Sequence, residues 1–195
     1  MTLACLAALL LASPDPAPPQ PAPATAKIRI RPVEWAQPVL SPKLKNFHQL
    51  DARLYRSSQP DEDAMKSLAK AGISEILNLR DFHDDEDEAK GTALKLHRVE
   101  LRAGAIKLDE VRQALKIITD AKGPVLVHCW HGSDRTGCIC AFYRMVHQGW
   151  SKEQALAEMR EGGYGFHECY DEIIKLIQGA DIEALRHELK PKKPS

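Results

Sequence analysis

Hydrophobic and polar positions change their spacing several times along this chain, and each change marks a predicted element. Apolar segments at 73–79 and 124–127 predict buried strands, and a strand over 54–60 ends in a turn. Alternation predicts another strand over 94–101. Apolar residues three or four positions apart predict helices at 61–72, 109–121, 138–147, 151–160, 168–177 and 182–189. Strands and helices in this order predict an α/β fold with a central, mainly parallel sheet flanked by helices.

Composition divides the chain into four segments, of which one is long enough to form a domain with a core. They are 1–26, with an apolar run and a Pro/Ala-rich spacer; 27–46, a lead segment; 47–179, the main domain; and 180–195, a C-terminal helix and basic tail.

The apolar run at 3–12 is too short to span a bilayer as a helix, but it has the length of the core of a secretory signal. No Lys or Arg precedes the run, which departs from the usual signal pattern. We predict an exported, periplasmic protein without a stable membrane span. A cytoplasmic protein is the alternative if the run is not a signal.

The charge balance limits the classes of partner. The chain has 27 Lys and Arg against 27 Asp and Glu, so its formal net charge is zero and a broad nucleic-acid surface is not expected. The histidines lack metal-ligand spacing with the cysteines. We therefore predict no nucleic-acid partner and no metal. We also predict that the protein has no cofactor and is a monomer. The acidic run at 81–88 is expected to be a solvated surface.

The candidate chemistry lies in residues 128–137, His-Cys-Trp-His-Gly-Ser-Asp-Arg-Thr-Gly, between a predicted strand and a predicted helix. A strand, a tight loop and a helix N-terminus form an anion site, because loop amides point inward and the helix dipole adds partial positive charge. We expect this field to stabilise a thiolate at Cys129. Arg135 can present its planar fork to two phosphate oxygens, and Gly132 lets the backbone turn.

The pattern His-Cys-x5-Arg-Thr resembles the phosphate loop of the cysteine-based protein tyrosine phosphatases. The resemblance implies a fold of that type, of dual-specificity phosphatase size. It implies that Cys129 is the nucleophile and that Arg135 binds the phosphate. It also implies that His128 tunes Cys129 through the loop backbone and that the Thr136 hydroxyl stabilises the departing thiolate. The other expected phosphate-binding residues are Trp130, His131, Gly132 and Ser133.

The likeness extends over about 54–179. The order Tyr-Arg-Ser-Ser-Gln-Pro at 55–60, a helix, and a strand ending in Asn-Leu-Arg at 78–80 resembles small bacterial exported dual-specificity phosphatases. Residues 143–165 resemble the same group.

The general acid is where the chain departs from the family. Related phosphatases carry an Asp in the loop that corresponds to 102–106, and here that loop has no carboxylate. Asp134 is the first candidate, because Asp-Arg-Thr is similar to the loop ending of myotubularin lipid phosphatases, in which that Asp is thought to be the acid. Asp81 is the second candidate and Asp109, at a predicted helix start, is the third. An enzyme in which none of the three serves is also open.

Three functions are compatible with these residues. The first is a phosphatase that forms phosphocysteine and acts on phosphotyrosine or mixed phosphoamino acids in protein. The second has the same chemistry with a phosphoinositide or inositol polyphosphate as substrate, which the Asp134 similarity favours. The third is a non-catalytic phosphate-binding module, against which the intact Cys129 and Arg135 argue.

Overall fold

The structure, a computed structural model, describes residues 31–190. In chain order its elements are β1 Gln37–Pro38, β2 His48–Gln49, β3 Leu54–Ser57, α1 Glu62–Lys70, β4 Glu75–Asn78, β5 Lys95–Arg98, a 3-10 turn Ala103–Ala105, α2 Leu108–Asp120, β6 Val125–His128, α3 Asp134–Gln148, α4 Lys152–Glu161, α5 Asp171–Gly179 and α6 Ile182–Glu188.

Within residues 31–190, six strands form one sheet in the order β1-β2-β3-β6-β4-β5. The pairs β3–β6, β6–β4 and β4–β5 are parallel, and β1 and β2 extend the sheet in antiparallel pairing. This confirms the predicted α/β fold with a mainly parallel sheet. His128 is in register with Ser57 on one side and with Asn78 on the other, so the carboxyl ends of three strands meet at one edge. Ligands of open α/β sheets bind at that edge.

The central strands β3, β4 and β6 are covered on both faces, and their side chains point alternately to one face and the other. On one face, Leu126 of β6 and Ile76 of β4 pack with Met65 and Leu68 of α1. The opposite face packs against the larger core, to which α2, α3, α5 and α6 contribute; its buried members include Leu77, Val125, Val127, Leu115, Ile139, Phe142, Ile177 and Leu185. Helix α3 is therefore held on several sides, which fixes its N-terminus at the carboxyl edge of the sheet.

The elements differ from the predicted bounds mainly at their ends. Strands β4 and β5 are shorter than the predicted 73–79 and 94–101. Helix α2 begins at Leu108 with Lys107 at its N-cap, so Asp109 is inside the first turn. Helix α3 begins at Asp134, within the loop, so that the first turn of the helix contains the loop residues that end the motif. The predicted capping box of α4 is confirmed, with the Ser151 hydroxyl and the Gln154 side chain each bonded to the other residue's backbone N–H.

Of the two predicted N-terminal segments, the structure describes residues 31–46 of the lead segment. The predicted signal at 1–26 lies outside the described residues, and β1 lies within the predicted lead segment and pairs with β2. In the stretch from 31 to 190, no helix combines the length and the apolar character that a membrane crossing needs.

Candidate active site

Cys129 is the first residue after β6, and its side chain lies where the carboxyl edge of the sheet meets the N-terminus of α3. The residue is 3% exposed. Helix α3 starts at Asp134 and runs to Gln148, so its partial positive charge is directed at the loop between β6 and α3. We call residues 129–135 the phosphate loop.

The carbonyl groups of the phosphate loop are turned outward. Three of them accept hydrogen bonds from outside the loop: Trp130 O from Gln59 N at 3.1 Å, His131 O from Asn46 Nδ2 at 3.1 Å, and Gly132 O from Arg56 Nη2 at 2.5 Å. A carbonyl and the N–H of the following residue point in opposite directions across a planar trans peptide. The N–H groups of the next three residues therefore face the inside of the loop: His131, Gly132 and Ser133. They form an anion-binding concavity.

Gly132 is the position where the loop requires glycine. Its φ is +73°, and a Cβ there would lie 2.4 Å from the carbonyl oxygen of Ser57. Any other residue would carry left-handed strain and clash with the backbone of β3. The close approach of loop and strand is what shapes the concavity.

Arg56 supports the loop from beneath. It is 1% exposed, donates to Gly132 O, and its guanidinium lies 3.6 Å from the centroid of the Tyr164 ring. Tyr164 O in turn accepts from the Ser133 hydroxyl at 2.7 Å. Arg56 is therefore buried under the loop as a structural cation, with no role at the loop's open side.

Arg135 lies at the mouth of the loop and is half-buried. Its Nη1 is 3.2 Å from Asp81 Oδ1 and 3.3 Å from the carbonyl oxygen of Leu101. The guanidinium thus reaches from the first turn of α3 to the segment that follows β4. Asp81, one of the acid candidates, is consequently at the mouth of the phosphate loop.

A second arginine lies beside the first. The Arg80 guanidinium stacks over the Trp130 ring at 4.2 Å and donates from Nη1 to Gln59 Oε1 at 3.1 Å. Burial, together with the neighbouring charge of Arg135, lowers the pKa of Arg80. Trp130 is 53% exposed and His131 is exposed, so the mouth has a cationic and aromatic rim.

The Asp134 carboxylate is engaged by His167. Oδ1 accepts from the His167 backbone N–H at 2.8 Å, and Oδ2 lies 2.9 Å from the ring Nδ1 of the same residue. The contact joins the start of α3 to the segment that precedes α5. Asp109, the third acid candidate, is exposed on α2 and pairs with Arg112 at 2.5 Å.

The expectation that the whole acidic run at 81–88 is solvated is wrong for Asp85. Asp85 is 3% exposed, and its Oδ2 lies 2.8 Å from His128 Nε2 while Oδ1 accepts from Gln59 Nε2 at 2.8 Å. Burial raises the pKa of Asp85, but the hydrogen bond and positive charge of His128 outweigh it and the pKa is lowered overall. The run enters the interior because His128 at the end of β6 provides a partner.

Thr136 and the remaining cysteines are internal. Thr136 is fully buried, and among the described residues its hydroxyl has no hydrogen-bond partner, so one donor is free behind the loop. Cys138 and Cys140 are free thiols buried in α3, and burial raises the pKa of Cys140 to about 11. Cys169, by contrast, is free and exposed.

One group of side chains has the composition of a metal site. Donor atoms of His83, Asp85 and Glu88 all lie within 4.8 Å of one another. Both oxygens of Asp85 are already bonded, to Gln59 and to His128, so we assign no metal to the group. The absence of a cofactor stays a prediction.

Four residues of this site were not predicted from the sequence: Arg56, Arg80, Asp85 and His167. Arg56 and Arg80 lie in segments that resemble related phosphatases, and that resemblance was the available signal for them. The others are recognisable only from contacts between distant parts of the chain.

Known proteins resemble this chain in sequence over the region that contains the site. The sequence profile of the tyrosine phosphatase family matches residues 40–188. The dual specificity protein phosphatase TpbA of Pseudomonas aeruginosa is 35% identical over 156 residues, which is 78% of this chain and 69% of TpbA. Inositol diphosphatase DSP1 of Oryza sativa subsp. japonica is 28% identical over 153 residues, 73% of this chain and 67% of that protein.

Solved structures of phosphatases are similar to this chain as well. A crystal structure of a cysteine-to-serine variant of P. aeruginosa TpbA in complex with pTyr superposes with a TM-score of 0.75 at 30% identity, covering 84% of this chain and 100% of that one. The catalytic core of the PP-IP phosphatase SIW14 from S. cerevisiae gives 0.64 at 25% identity, covering 75% and 95%.

Proposed function

This chain belongs to the tyrosine phosphatase family and is a cysteine-dependent phosphatase, and from that premise we propose that it dephosphorylates protein, with phosphotyrosine as the main substrate and phosphoserine or phosphothreonine accepted. The proposal rests on one observation above the others. Cys129 lies at the base of a concavity of inward-facing amides, between the helix dipole of α3 and the guanidinium of Arg135.

The reaction that fits this arrangement has two displacements. The Cys129 thiolate attacks phosphorus as the bond from phosphorus to the substrate oxygen breaks, and a carboxylic acid gives that oxygen its proton. Water then gives a proton to the carboxylate left by the first step and attacks the phosphocysteine, the sulfur–phosphorus bond breaks, and inorganic phosphate leaves. The loop amides and Arg135 stabilise the charge on the transferring phosphoryl group. The free hydroxyl of Thr136 is available to stabilise the departing thiolate.

We propose Asp81 as the general acid. Its carboxylate is at the mouth, 3.2 Å from Arg135 Nη1, whereas both oxygens of Asp134 face His167. A bound phosphate dianion competes with Asp81 for Arg135, which frees the carboxyl group from that ion pair. Asp134 as the acid stays a prediction, and its contacts give it a further role in holding the segment before α5 against α3.

The surface beside the mouth fits a protein substrate. A cleft of about 340 Å³ lies next to Asp81 and is lined by Phe82, Arg102 and Lys107 among others. Phe82 is 85% exposed and Trp130 is 53% exposed, so both aromatic side chains are available for contact with a substrate. A larger cleft, of about 580 Å³, is lined by Arg53 and Lys122 at the amino ends of β3 and β6, away from the loop.

A substrate panel tests the proposal. Purified protein is assayed on phosphotyrosine and phosphothreonine peptides, a phosphoinositide in vesicles, and inositol phosphates with and without a diphosphate group. We expect the highest kcat/KM on the phosphotyrosine peptide and no turnover by Cys129→Ser. Equal inactivity of wild-type protein and Cys129→Ser on every substrate would instead support a non-catalytic phosphate-binding module.

An inositol phosphate is the second candidate substrate. The observation that favours it is the pair of guanidiniums, Arg80 and Arg135, at one mouth, since two adjacent cations suit a ligand with more than one phosphate. The relative named inositol diphosphatase supports the same interpretation of the mouth. A kcat/KM for an inositol diphosphate above that of any phosphopeptide would select this substrate class.

We propose in addition that the protein is exported to the periplasm and acts as a monomer. The support for export is the apolar run at 3–12 and the spacer that follows it. N-terminal sequencing of protein from fractionated cells tests this, and an intact Met1 in the cytosolic fraction would contradict it. Light scattering of the purified protein tests the monomer.

A further inference from the structure

Both ring nitrogens of His128 face groups that can only accept a hydrogen bond. Nδ1 lies 3.3 Å from the carbonyl oxygen of Cys129, and Nε2 lies 2.8 Å from Oδ2 of Asp85. A neutral imidazole has one N–H, so it can donate to one of these acceptors and not to both. While Asp85 is ionised, both contacts are hydrogen bonds only if the ring is an imidazolium, which carries a proton on each nitrogen.

Asp85 is built to keep its charge in this place. The residue is 3% exposed, and its second oxygen is held by Gln59 Nε2 at 2.8 Å. The pKa of Asp85 is lowered, since the hydrogen bond and charge of His128 outweigh the effect of burial. The Asp85 backbone is also fixed, because its carbonyl accepts from Ala89 N at 2.9 Å. The carboxylate is therefore held in place beside a fully buried ring, and its lowered pKa favours the ionised form.

We propose that Asp85 is a positioning residue that holds His128 as an imidazolium directly behind Cys129, so that the acidic segment 81–88 sets the reactivity of the nucleophile. The role of Cys129 as nucleophile rests on the proposed function, whereas the effect of Asp85 and His128 on the Cys129 thiol does not. The imidazolium donates to the backbone carbonyl of Cys129 and brings a positive charge next to the residue whose thiolate must form.

Other titratable groups near Asp85 and His128 come from three parts of the chain. His83 Nε2 lies 3.8 Å from Asp85 Oδ1 and 3.1 Å from Glu88 Oε1, within the same segment. Arg80, after β4, is within electrostatic reach of Asp85 and of Glu88. The thiol of Cys129 follows His128 itself. The positive charges of His83 and Arg80 favour the ionised form of Asp85.

Alkylation of Cys129 by iodoacetamide as a function of pH tests the inference in the full chain, read at the Cys129 peptide by mass spectrometry. Asp85→Asn keeps the shape and removes the charge, and we expect the midpoint of the alkylation profile to move up by about one pH unit. The matched control is Asp87→Asn, an exposed carboxylate of the same segment, which should leave the midpoint unchanged. The exposed Cys169 is an internal reference in every sample. In a His128→Asn background, Asp85→Asn should add no further shift.

A measurement on the wild-type protein covers the case in which Asp85→Asn does not fold. Nitrogen NMR of histidine-labelled protein at neutral pH should show His128 with both ring nitrogens protonated, and a ring with one protonated nitrogen would overturn the inference. An unchanged alkylation midpoint in folded Asp85→Asn would overturn it equally. Neither measurement needs a substrate, so a shifted midpoint in a protein that hydrolyses no phosphomonoester would reject the proposed function and leave this inference intact.

Discussion

The carboxylate of Asp81 lies 3.2 Å from the guanidinium of Arg135, which joins the segment after β4 to the first turn of α3 across the mouth of the phosphate loop. The two residues are 54 positions apart in the chain. An incoming phosphate group competes with Asp81 for the Arg135 guanidinium. We therefore expect substrate binding to release the Asp81 carboxylate from its ion pair with Arg135. This relationship is the reason to test Asp81 before Asp134 as the acid.

The acid is identified by its dependence on the leaving group. Asp81→Asn and Asp134→Asn are compared on aryl phosphates of graded leaving-group pKa. Loss of the acid should cost little on the best leaving group and on the order of 10²-fold or more in kcat on the worst. We expect this graded loss for Asp81→Asn and a smaller, uniform loss for Asp134→Asn. The reverse result would transfer the role to Asp134, and a uniform loss in both variants would leave no carboxylate among these two as the acid.

Replacement of Arg135 by Lys should lower kcat by roughly 10²–10³-fold, because the charge is kept while the two-pronged contact with phosphate oxygens is lost. Arg112→Lys, at a partly exposed arginine of α2 that pairs with Asp109, is the control and should keep wild-type kcat. Steady-state kinetics on a phosphotyrosine peptide measure both. An Arg135→Lys enzyme with most of its kcat would show that charge alone suffices.

Gly132→Ala should inactivate the enzyme and destabilise it by more than about 1 kcal/mol, because left-handed strain is added to a clash with Ser57. Gly72→Ala separates the two effects, since Gly72 has a φ of +90° but no atom within 4 Å of the place that an added methyl group would occupy. We expect Gly72→Ala to cost about 1 kcal/mol and to keep its activity. Urea unfolding and kinetics together decide, and equal behaviour of the two variants would remove the proposed steric role of Gly132.

Acid should destabilise the fold through His48. Burial, aided by the charges of Arg56 and Arg31, lowers the pKa of His48 to about 4 from 6.5. The unfolded chain takes up a proton below pH 6.5 that the folded protein refuses until about pH 4, so stability falls as the pH falls across this window.

The His48 effect is measured as the free energy of unfolding at pH 7 and pH 4.5. We expect the wild type to lose roughly 1–2 kcal/mol through this residue, less than the full pKa difference implies because the ring is partly exposed. His48→Gln should lose correspondingly less on acidification, while the exposed His187→Gln should behave as wild type. The same acid loss in His48→Gln as in wild type would assign the effect to other groups.

The central part of the site could be predicted because its residues are neighbours in the sequence. Cys129, Gly132 and Arg135 lie in one loop, and the strand and helix that flank it carry clear apolar patterns. The parallel sheet followed from the same alternation of elements. A local pattern is sufficient when the chemistry is built from a single turn of chain.

The parts that could not be predicted depend on contacts between distant segments. Asp85 is 43 positions from His128, and an acidic run has the composition of a solvated surface whichever of its members is buried. His167 is 33 positions from Asp134, and nothing local marks it as that residue's partner. Neither pair could be predicted, because its two residues are far apart in the sequence. Each pair nevertheless holds in place a segment that contacts the phosphate loop.

The most direct test of the account is to trap the covalent intermediate. Wild-type protein is mixed with a radiolabelled phosphotyrosine peptide, quenched within milliseconds to seconds and digested, and the labelled peptide is identified. Phosphate bound to the sulfur of Cys129 is the predicted result, with more label in Thr136→Ala, where the thiolate leaves more slowly, and none in Cys129→Ser. Turnover with no labelled Cys129 in either enzyme, or substantial activity in Cys129→Ser, would contradict it.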